Sequence, residues 1–222
     1  MSRTGFTVTA ILRATVGLVA ARPAPAAIAI LGMVGAGIVI DLAVTDTELY
    51  NVAIAFLSIA GLVAQFALLD AVMRQEGLIG RDHGGSRSGS FIILSILTGS
   101  AILIGTLLLI IPGLLLAARW AVAAPMVIAD RMNWRDAMAA SEQQTRLDRV
   151  SLALVWALVG IPTVVAVVLA VALYPESGTP EPAPAILANL MLYFGQVIGW
   201  YASIAIYASY QRDEPSLREV FA

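Results

Sequence analysis

Long apolar stretches separated by short polar segments dominate the chain, and their lengths are more informative than their periodicity. Six of them are long enough, or nearly so, to cross a hydrocarbon core of about 30 Å at about 1.5 Å per helical residue. Helices that face lipid or other helices are apolar all round, so no amphipathic period is expected in them. The predicted spans are residues 26–44, 49–73, 91–111, 113–129, 150–174 and 184–210.

Two segments outside these spans are predicted to be surface helices. Segment 133–147 opens with Asn133, a residue type that caps helix N-termini, and Asp136 stands three residues later, where it can bond back. One face of this helix collects the residues at helical spacing, Trp134, Ala137, Met138, Ser141 and Thr145. Segment 4–21 is more apolar. Both are predicted to lie in the cytoplasmic membrane interface, with arginines towards the headgroups.

Arginine supplies all 13 basic residues of the chain: seven lie in every second connection between the predicted spans, five lie in the two termini, and one lies inside a span. Segments 74–90 and 131–149 and both termini carry arginine, whereas 41–48 and 175–182 carry acids alone. Arginine in short loops stays in the cytoplasm during insertion. The pattern therefore predicts six spans with both termini in the cytoplasm of a bacterial inner membrane.

The connection between the third and fourth spans is predicted to be a tight turn at Pro112 and Gly113. A single span over 91–129 would place the four arginines of 131–149 on the outer side. The arginine pattern therefore favours a hairpin at this dipeptide.

Composition agrees with a membrane protein, because 59% of the residues are hydrophobic and 13% are charged. Soluble domains have about 45–50% apolar and about 25% charged residues, so the excess apolar surface must face lipid. The predicted fold is all-α, a single membrane domain over 1–222 with six spans and two interfacial helices. A net charge of −2 gives no basic excess for nucleic acid. Without cysteine, disulfides and thiolate metal sites are excluded.

Catalytic chemistry has little support in the sequence. His83 is the only histidine, and it lies in the glycine- and serine-rich loop 80–90. A catalytic triad needs a scaffold that adjacent loop residues lack, and a metal site needs three or four ligands. No enzyme activity, metal or cofactor is therefore predicted.

Arg119 is the sharpest candidate, because the thirteenth arginine falls inside a predicted span. A buried charge in a membrane is expensive and usually has a partner or a function. One interpretation is a structural clamp, in which Arg119 bonds backbone carbonyls near Pro112, or Asn189 at matching depth, or the acids Asp41, Asp46 and Glu48. The other is an anion site for a phosphate or carboxylate group. Gln65 and Gln196, deeper in their spans, either join helices or line a polar path.

Small residues at four-residue spacing form ladders that let helix backbones approach closely. One ladder is Gly195, Gly199 and Ser203, and another is Ser95 and Gly99. Packing inside one bundle and self-association are both open for them. Pro125 and Pro162 are expected to kink their spans.

The segment from Ile111 to Trp120, followed by Pro125, Asp130, Ala137 and Ser141, resembles a known pattern. It is similar to the bacterial glycerophosphodiester phosphodiesterase membrane-domain family and its YciC-like relatives. The resemblance implies six spans, a Pro-Gly turn into an arginine-containing span, and an amphipathic helix with an Ala-x-x-x-Ser core. Some family members carry a fused phosphodiesterase domain, which is not expected here.

The sequence therefore predicts a non-catalytic integral inner-membrane protein that acts as a lipid-associated or partner-binding module. The alternative is a transporter or flippase for an anionic small molecule or lipid, centred on Arg119. Expected partners are membrane lipids, with a separate membrane or cytoplasmic protein and a second copy of the chain left open.

Overall fold

The computed structural model describes residues 7–44, 48–79, 88–173 and 180–220, with side chains as far as Arg212. Regular structure in these ranges is helical throughout, and none of the described residues forms a strand. His83 and most of its glycine-serine loop lie outside the described residues, as does Asp46. In chain order the helices are α1 Val8–Ala21, α2 Pro23–Ala43, α3 Tyr50–Gln75, α4 Ser88–Leu108, α5 Ile110–Arg119, α6 Ala123–Ala129, α7 Trp134–Thr145, α8 Arg149–Val159, α9 Ile161–Leu173 and α10 Pro182–Val220.

Five helical segments in the described ranges are long and apolar enough to cross a membrane, judged by length and composition. They are α2, α3, α4, the segment Ile110–Ala129 that joins α5 to α6, and Pro182–Arg212 of α10. The bent pair α8 and α9 makes a sixth if its two helices form one span. The protein is an all-α polytopic membrane protein, as the sequence predicts.

Proline decides where two of the long helices begin. Pro23 opens α2 and Pro182 opens α10, and the first helical turn tolerates the missing N–H because its donors have no helical partner. The residue before proline is pushed out of the α region. Arg22 accordingly has φ −132° and ψ 63°, which separates α1 from α2.

The hairpin between α4 and α5 turns at Leu109, so the predicted turn at Pro112 and Gly113 is wrong. Leu109 is extended, with φ −159° and ψ 134°, and both predicted turn residues lie in the first turn of α5. Proline is compatible with that turn. Gly113 has a different function: a Cβ there would lie 2.7 Å from the Thr106 backbone nitrogen, so glycine permits close approach of α4 and α5.

A second predicted feature, the kink at Pro162, is confirmed. Helices α8 and α9 are bent by 43° at Gly160. Proline lacks the N–H that would bond the carbonyl four residues earlier, which breaks the helical ladder. On α10, Gly195 fits against this bend, because a Cβ there would lie 3.3 Å from Pro162 Cβ and closer still to Thr163.

The chain divides into two compact units. The first unit contains Met1–Ala21, Leu69–Leu158 and Trp200–Ala222, and the second contains Arg22–Leu68 and Val159–Gly199. In the first unit α5 packs on α4, and α7 packs on α4, α5 and α6. The described core of this unit includes large aromatic side chains from the second half of α10, where Tyr201 and Tyr207 are buried.

Candidate functional site

The apolar segment Ile110–Ala129 is interrupted at residues 120–122, between α5 and α6. Pro125 is the local reason, because proline has no N–H to donate to the carbonyl four residues earlier, that of Ala121. At this break the backbone hydrogen bonds join residues three apart instead of four. The Ala121 N–H donates to the Ala118 carbonyl at 3.4 Å, and the Ala123 N–H donates to the Trp120 carbonyl at 3.2 Å. The carbonyls of Arg119 and Ala121 are thereby released from the helical ladder.

Hydroxyl groups from two other helices satisfy the backbone of the break. Ser141 of α7 donates to the Arg119 carbonyl at 3.0 Å and accepts from the Val122 N–H at 3.4 Å. Thr145 also donates to the Arg119 carbonyl, at 3.2 Å. Ser203 of α10 donates to the Ala121 carbonyl at 2.6 Å. Irregular backbone at membrane depth is tolerated where protein groups replace its lost bonds, and here three hydroxyls replace them.

The Arg119 side chain forms an ion pair with Glu142 of α7. Its guanidinium carbon also lies 5.7 Å from the centroid of the neighbouring Trp120 ring, within the range of a cation–π contact. The Nε atom is buried and has no hydrogen-bond partner among the described residues. Arg119 is 38% exposed and Glu142 37% exposed, so solvent or headgroups still reach the pair.

This pairing differs from every side-chain partner predicted for Arg119. The sequence points to Asn189 and the acids near 41–48, whereas the partner is Glu142. The difference arises because α7 packs on α5 and α6 and brings an acid from a segment predicted to lie on the membrane surface. A clamp at Arg119 does exist, but Ser141 and Thr145 bond its carbonyl while Glu142 bonds its side chain.

Helix α7 has the N-cap and the buried face that the sequence predicts. The Asn133 side-chain oxygen accepts from the N–H groups of Arg135 at 2.9 Å and Asp136 at 3.1 Å. Among the residues of the predicted face, Ala137, Ser141 and Thr145 are buried, and Trp134 and Met138 are partly buried. This face packs on α4, α5 and α6, so the polar face of α7 points away from these helices.

Helix α10 secures both ends of the α7 region through tyrosine hydroxyls. Tyr207 donates to Asp130, which follows α6, at 2.8 Å, and Gln211 donates to the Tyr207 oxygen at 2.9 Å. Tyr210 donates to Asp148, which precedes α8, at 3.1 Å. Tyr207 and Tyr210 of α10 therefore bind the chain on both sides of α7, at Asp130 before it and at Asp148 after it.

In the second unit Asn189 pairs with Asp41. The Asn189 amide donates to Asp41 Oδ2 at 2.7 Å and to the Ala185 carbonyl at 2.9 Å. Gly37, one helical turn before Asp41, makes room for this amide, since a Cβ at position 37 would collide with the Asn189 side-chain oxygen. Asn189 therefore belongs to a site with Asp41, and Arg119 has its own partner.

The remaining predicted site residues differ in burial. Gln196 is exposed and Gln65 is partly buried. The structure therefore gives Gln196 no buried contact of the kind predicted for helix joining.

The two small-residue ladders also differ. Gly195, Gly199 and Ser203 are buried, and Ser203 contributes a hydrogen bond as well as small size. Gly99 is exposed, and a Cβ there would meet nothing within 4 Å. Ser95 is partly buried, and its hydroxyl oxygen is a buried atom that finds no hydrogen-bond partner in the part of the chain that the structure describes. Packing within the described bundle therefore does not use Gly99, and self-association through it stays a prediction.

Sequence reasoning assigns neither Glu142 nor Thr145 to a site, and it names Asp41 as a possible partner of Arg119 and not of Asn189. The pattern of polar residues in the sequence places Glu142 on the polar face of a surface helix. A signal is present, because Glu142 follows Ser141 directly and so lies beside the face that packs on α5 and α6. Asp41 belongs to an acidic loop by sequence, although it falls inside α2.

Metal chemistry has no site in the described part of the chain, where no group of three His, Asp or Glu side chains comes together. The groups around the break instead hold charges and hydroxyls in fixed positions between packed helices.

Fold and site together define an all-α, multi-pass membrane protein whose interrupted apolar segment is completed by hydrogen bonds from polar groups of α7 and α10. No protein-family model matches the chain, and neither a curated protein nor a solved structure shows significant similarity to it.

Proposed function

We propose that this chain is a non-catalytic integral protein of a bacterial cytoplasmic membrane and that it associates with anionic lipid headgroups through the region that follows α7. Both termini lie in the cytoplasm in this proposal, as the distribution of arginines between the connections favours. Glycerophosphodiester phosphodiesterase membrane-domain membership remains a proposal based on sequence resemblance alone.

One observation carries the lipid proposal. From the end of α7 into the first turn of α8, Leu147 is 81% exposed and Val150, the second residue of α8, is 72% exposed. Arg146 is exposed beside Leu147, and the partly buried Arg149 precedes Val150. Exposed aliphatic side chains next to arginines are typical of a membrane interface, where the apolar groups enter the acyl boundary and the guanidinium groups contact phosphates. This segment therefore fits the headgroup region of a membrane that carries anionic lipid.

The rigidity of the surroundings adds to the argument. Helix α7 is fixed by its buried face and by the Arg119–Glu142 ion pair, and Tyr210 bonds Asp148 beside the exposed segment. Arginines presented on a fixed frame need little ordering when they bind, so less of their interaction energy is lost. A structural role for Arg119 is consistent with a binding module.

The test compares lipid binding of the whole protein with that of an arginine variant. Phosphatidylglycerol is titrated into protein in neutral detergent, and bound lipid is counted by native mass spectrometry. We expect Arg146→Gln to weaken phosphatidylglycerol binding by about fivefold, since one arginine near an anionic surface is worth about 1 kcal/mol. Phosphatidylcholine binding should stay unchanged.

Arg74→Gln is the matched control, because Arg74 is exposed near the end of α3 and already pairs with Asp70 at 2.8 Å. It removes the same charge from a residue that has an acidic neighbour. Equal losses in both variants would mean that lipid binding follows net charge alone, and the proposed surface would be rejected.

A transporter or flippase for an anionic small molecule or lipid is the second candidate. The exposed part of Arg119 and its unpartnered Nε favour it, because an anion could compete with Glu142 for the guanidinium. Glu142→Gln should then raise anion uptake into proteoliposomes, and Arg119→Gln should abolish it. Uptake that is the same in both variants and in the original protein removes this candidate.

A further inference from the structure

A cavity of about 220 Å³ lies in the second unit, among α2, α3, α9 and α10. Its polar lining consists of the Asp41 carboxylate, the Asn189 amide and two tyrosines, Tyr50 and Tyr193. The other lining residues are apolar, among them Ile54, Leu57 and Ala170. A single carboxylate in a mainly apolar cavity is chemically selective, because few ligands match both parts.

The carboxylate is held in position by neighbours of matching shape. Asn189 donates one amide hydrogen to Asp41 Oδ2 and the other to the Ala185 carbonyl, so its amide orientation is fixed. Gly37 allows this orientation, and a Cβ at position 37 would also lie 3.1 Å from the Tyr193 ring. Asp41, Asn189 and Tyr193 therefore form one packed group at the cavity wall.

The lining chemistry favours a cation that carries apolar groups. A carboxylate repels phosphate and carboxylate ligands. Hard metal ions require several oxygen ligands in close geometry, and the described residues contain no group of three acidic or histidine side chains. Tyrosine rings attract quaternary and alkylated ammonium groups, and aliphatic walls accommodate their alkyl substituents. The volume is below the range of about 300–1,000 Å³ typical of pockets for larger ligands, which limits the ligand to a small headgroup.

Charge near the cavity points the same way. It is lined from the end of α2, the start of α3, the last turns of α9 and the first turns of α10. The connections that join these helix ends, 41–48 and 175–182, carry acids and no arginine. Among the described residues, Glu48 and Glu181 add negative charge at these helix ends, and acids favour a cation over an anion.

We propose that this cavity binds a small alkylated ammonium group, with Asp41 as its counter-ion and Tyr50 and Tyr193 as ring partners. The group is either a free alkylammonium compound or the trimethylammonium end of a choline-lipid headgroup, whose phosphate stays outside the cavity. The proposal concerns a different site from the arginine-bearing segment that follows α7, and its failure would leave the anionic-lipid proposal untouched.

The test measures thermal unfolding of the full-length protein in a maltoside detergent, whose headgroup carries no ammonium. Tetramethylammonium chloride is compared with sodium chloride at equal ionic strength. We expect tetramethylammonium to raise the unfolding temperature by several degrees, because a ligand that binds only the folded state stabilises it. We expect no shift in Asp41→Asn.

Glu48→Gln is the matched control, because Glu48 is an exposed acid close to Asp41 in sequence and does not line the cavity. It should keep most of the shift, because the counter-ion Asp41 stays in place. A shift that survives Asp41→Asn, or that is lost equally in Glu48→Gln, overturns the proposal.

Two further comparisons keep the test decisive if Asp41→Asn fails to fold. Ala170→Leu fills part of the cavity and leaves Asp41 in place, so the shift should be lost. Choline is compared with its uncharged isostere 3,3-dimethyl-1-butanol, and only choline should stabilise the protein. Equal stabilisation by both compounds, or a full shift in Ala170→Leu, contradicts an ammonium site.

Nanodiscs distinguish the two sources of the ligand. If the ligand is a lipid headgroup, phosphatidylcholine nanodiscs should stabilise the original protein over Asp41→Asn and reduce the effect of added tetramethylammonium. If it is a free compound, the tetramethylammonium shift should be the same in phosphatidylcholine and phosphatidylglycerol nanodiscs. Either result supports the cavity as an ammonium site, and no shift in any membrane overturns it.

Discussion

At the scale of single residues, Ser141 bonds two backbone groups of the break between α5 and α6 with one hydroxyl. Its hydroxyl donates to the Arg119 carbonyl and accepts from the Val122 N–H, and the residue is fully buried. Backbone N–H and C=O groups at a helix break in an apolar environment cannot form hydrogen bonds with water. Loss of the Ser141 hydroxyl therefore leaves the Val122 N–H without its acceptor and leaves Thr145 as the remaining hydroxyl donor to the Arg119 carbonyl.

Ser141→Ala should lower the free energy of unfolding by about 1–3 kcal/mol, the usual cost of leaving buried polar groups unsatisfied. The measurement is reversible unfolding from mixed micelles. Ser58→Ala is the control, because the Ser58 hydroxyl is exposed and donates to Ile54, a carbonyl of its own helix, at 2.8 Å. If Ser141→Ala and Ser58→Ala lower the free energy equally, the role of Ser141 at the break is disproved.

At the scale of helices, the α5–α6 break depends on two residues far apart in the sequence. Pro125 withholds an N–H from the Ala121 carbonyl, and Ser203 of α10 supplies a hydroxyl to the same atom at 2.6 Å. The sequence indicates each residue for a different reason, Pro125 as a kink and Ser203 as a small residue. That both residues act on the Ala121 carbonyl becomes visible only in the structure, where α10 packs against the break.

A double-mutant cycle tests this relation. Ser203→Ala should destabilise the original protein by about 1 kcal/mol, the usual net worth of one hydrogen bond. It should cost clearly less in a Pro125→Ala background, where the substituted residue regains an N–H that can bond the Ala121 carbonyl. Free energies of unfolding for the two single variants and the double variant give the coupling. Additive losses would show that the residues act independently.

The α4–α5 hairpin gives a second test at this scale. Gly113→Ala should destabilise the protein by about 1–3 kcal/mol, since the new methyl group would be 2.7 Å from the Thr106 nitrogen and 2.8 Å from its Cα. Gly99→Ala adds the same group to α4 where nothing lies within 4 Å, so it should be neutral or stabilising. Thermal unfolding of both variants is compared. A harmless Gly113→Ala would contradict the close helix approach.

At the scale of the whole molecule, the all-α multi-pass class could be predicted because it depends on length and apolar content. The exact ends of the helices and the hydrogen-bond partners between helices could not be predicted in the same way. Each span is predicted from its own sequence, so α5 and α6 appear there as a single span with a kink. The acid that pairs with Arg119 comes from α7, a segment whose polar composition indicates a surface helix.

Sidedness is the prediction that belongs to this scale. The chain contains no cysteine, so a single introduced thiol reports its own side of the membrane. An impermeant maleimide should label Glu48→Cys on intact spheroplasts and should label Gln143→Cys only after permeabilisation. Both positions are exposed in the structure, so access within the protein is not limiting. The reverse pattern would invert the topology drawn from the arginines.

The sequence by itself determined that the protein is helical, that it crosses a membrane several times and where a proline bends α8 against α9. These properties depend on residue type and spacing within one segment, which sequence displays directly. Tertiary structure decided that Glu142 pairs with Arg119, that Ser203 completes the bonds of Ala121 and that Asp41 meets Asn189 at a cavity. Each of these joins residues from separate helices, and membrane helices that are apolar all round carry no periodic signal to show which faces meet.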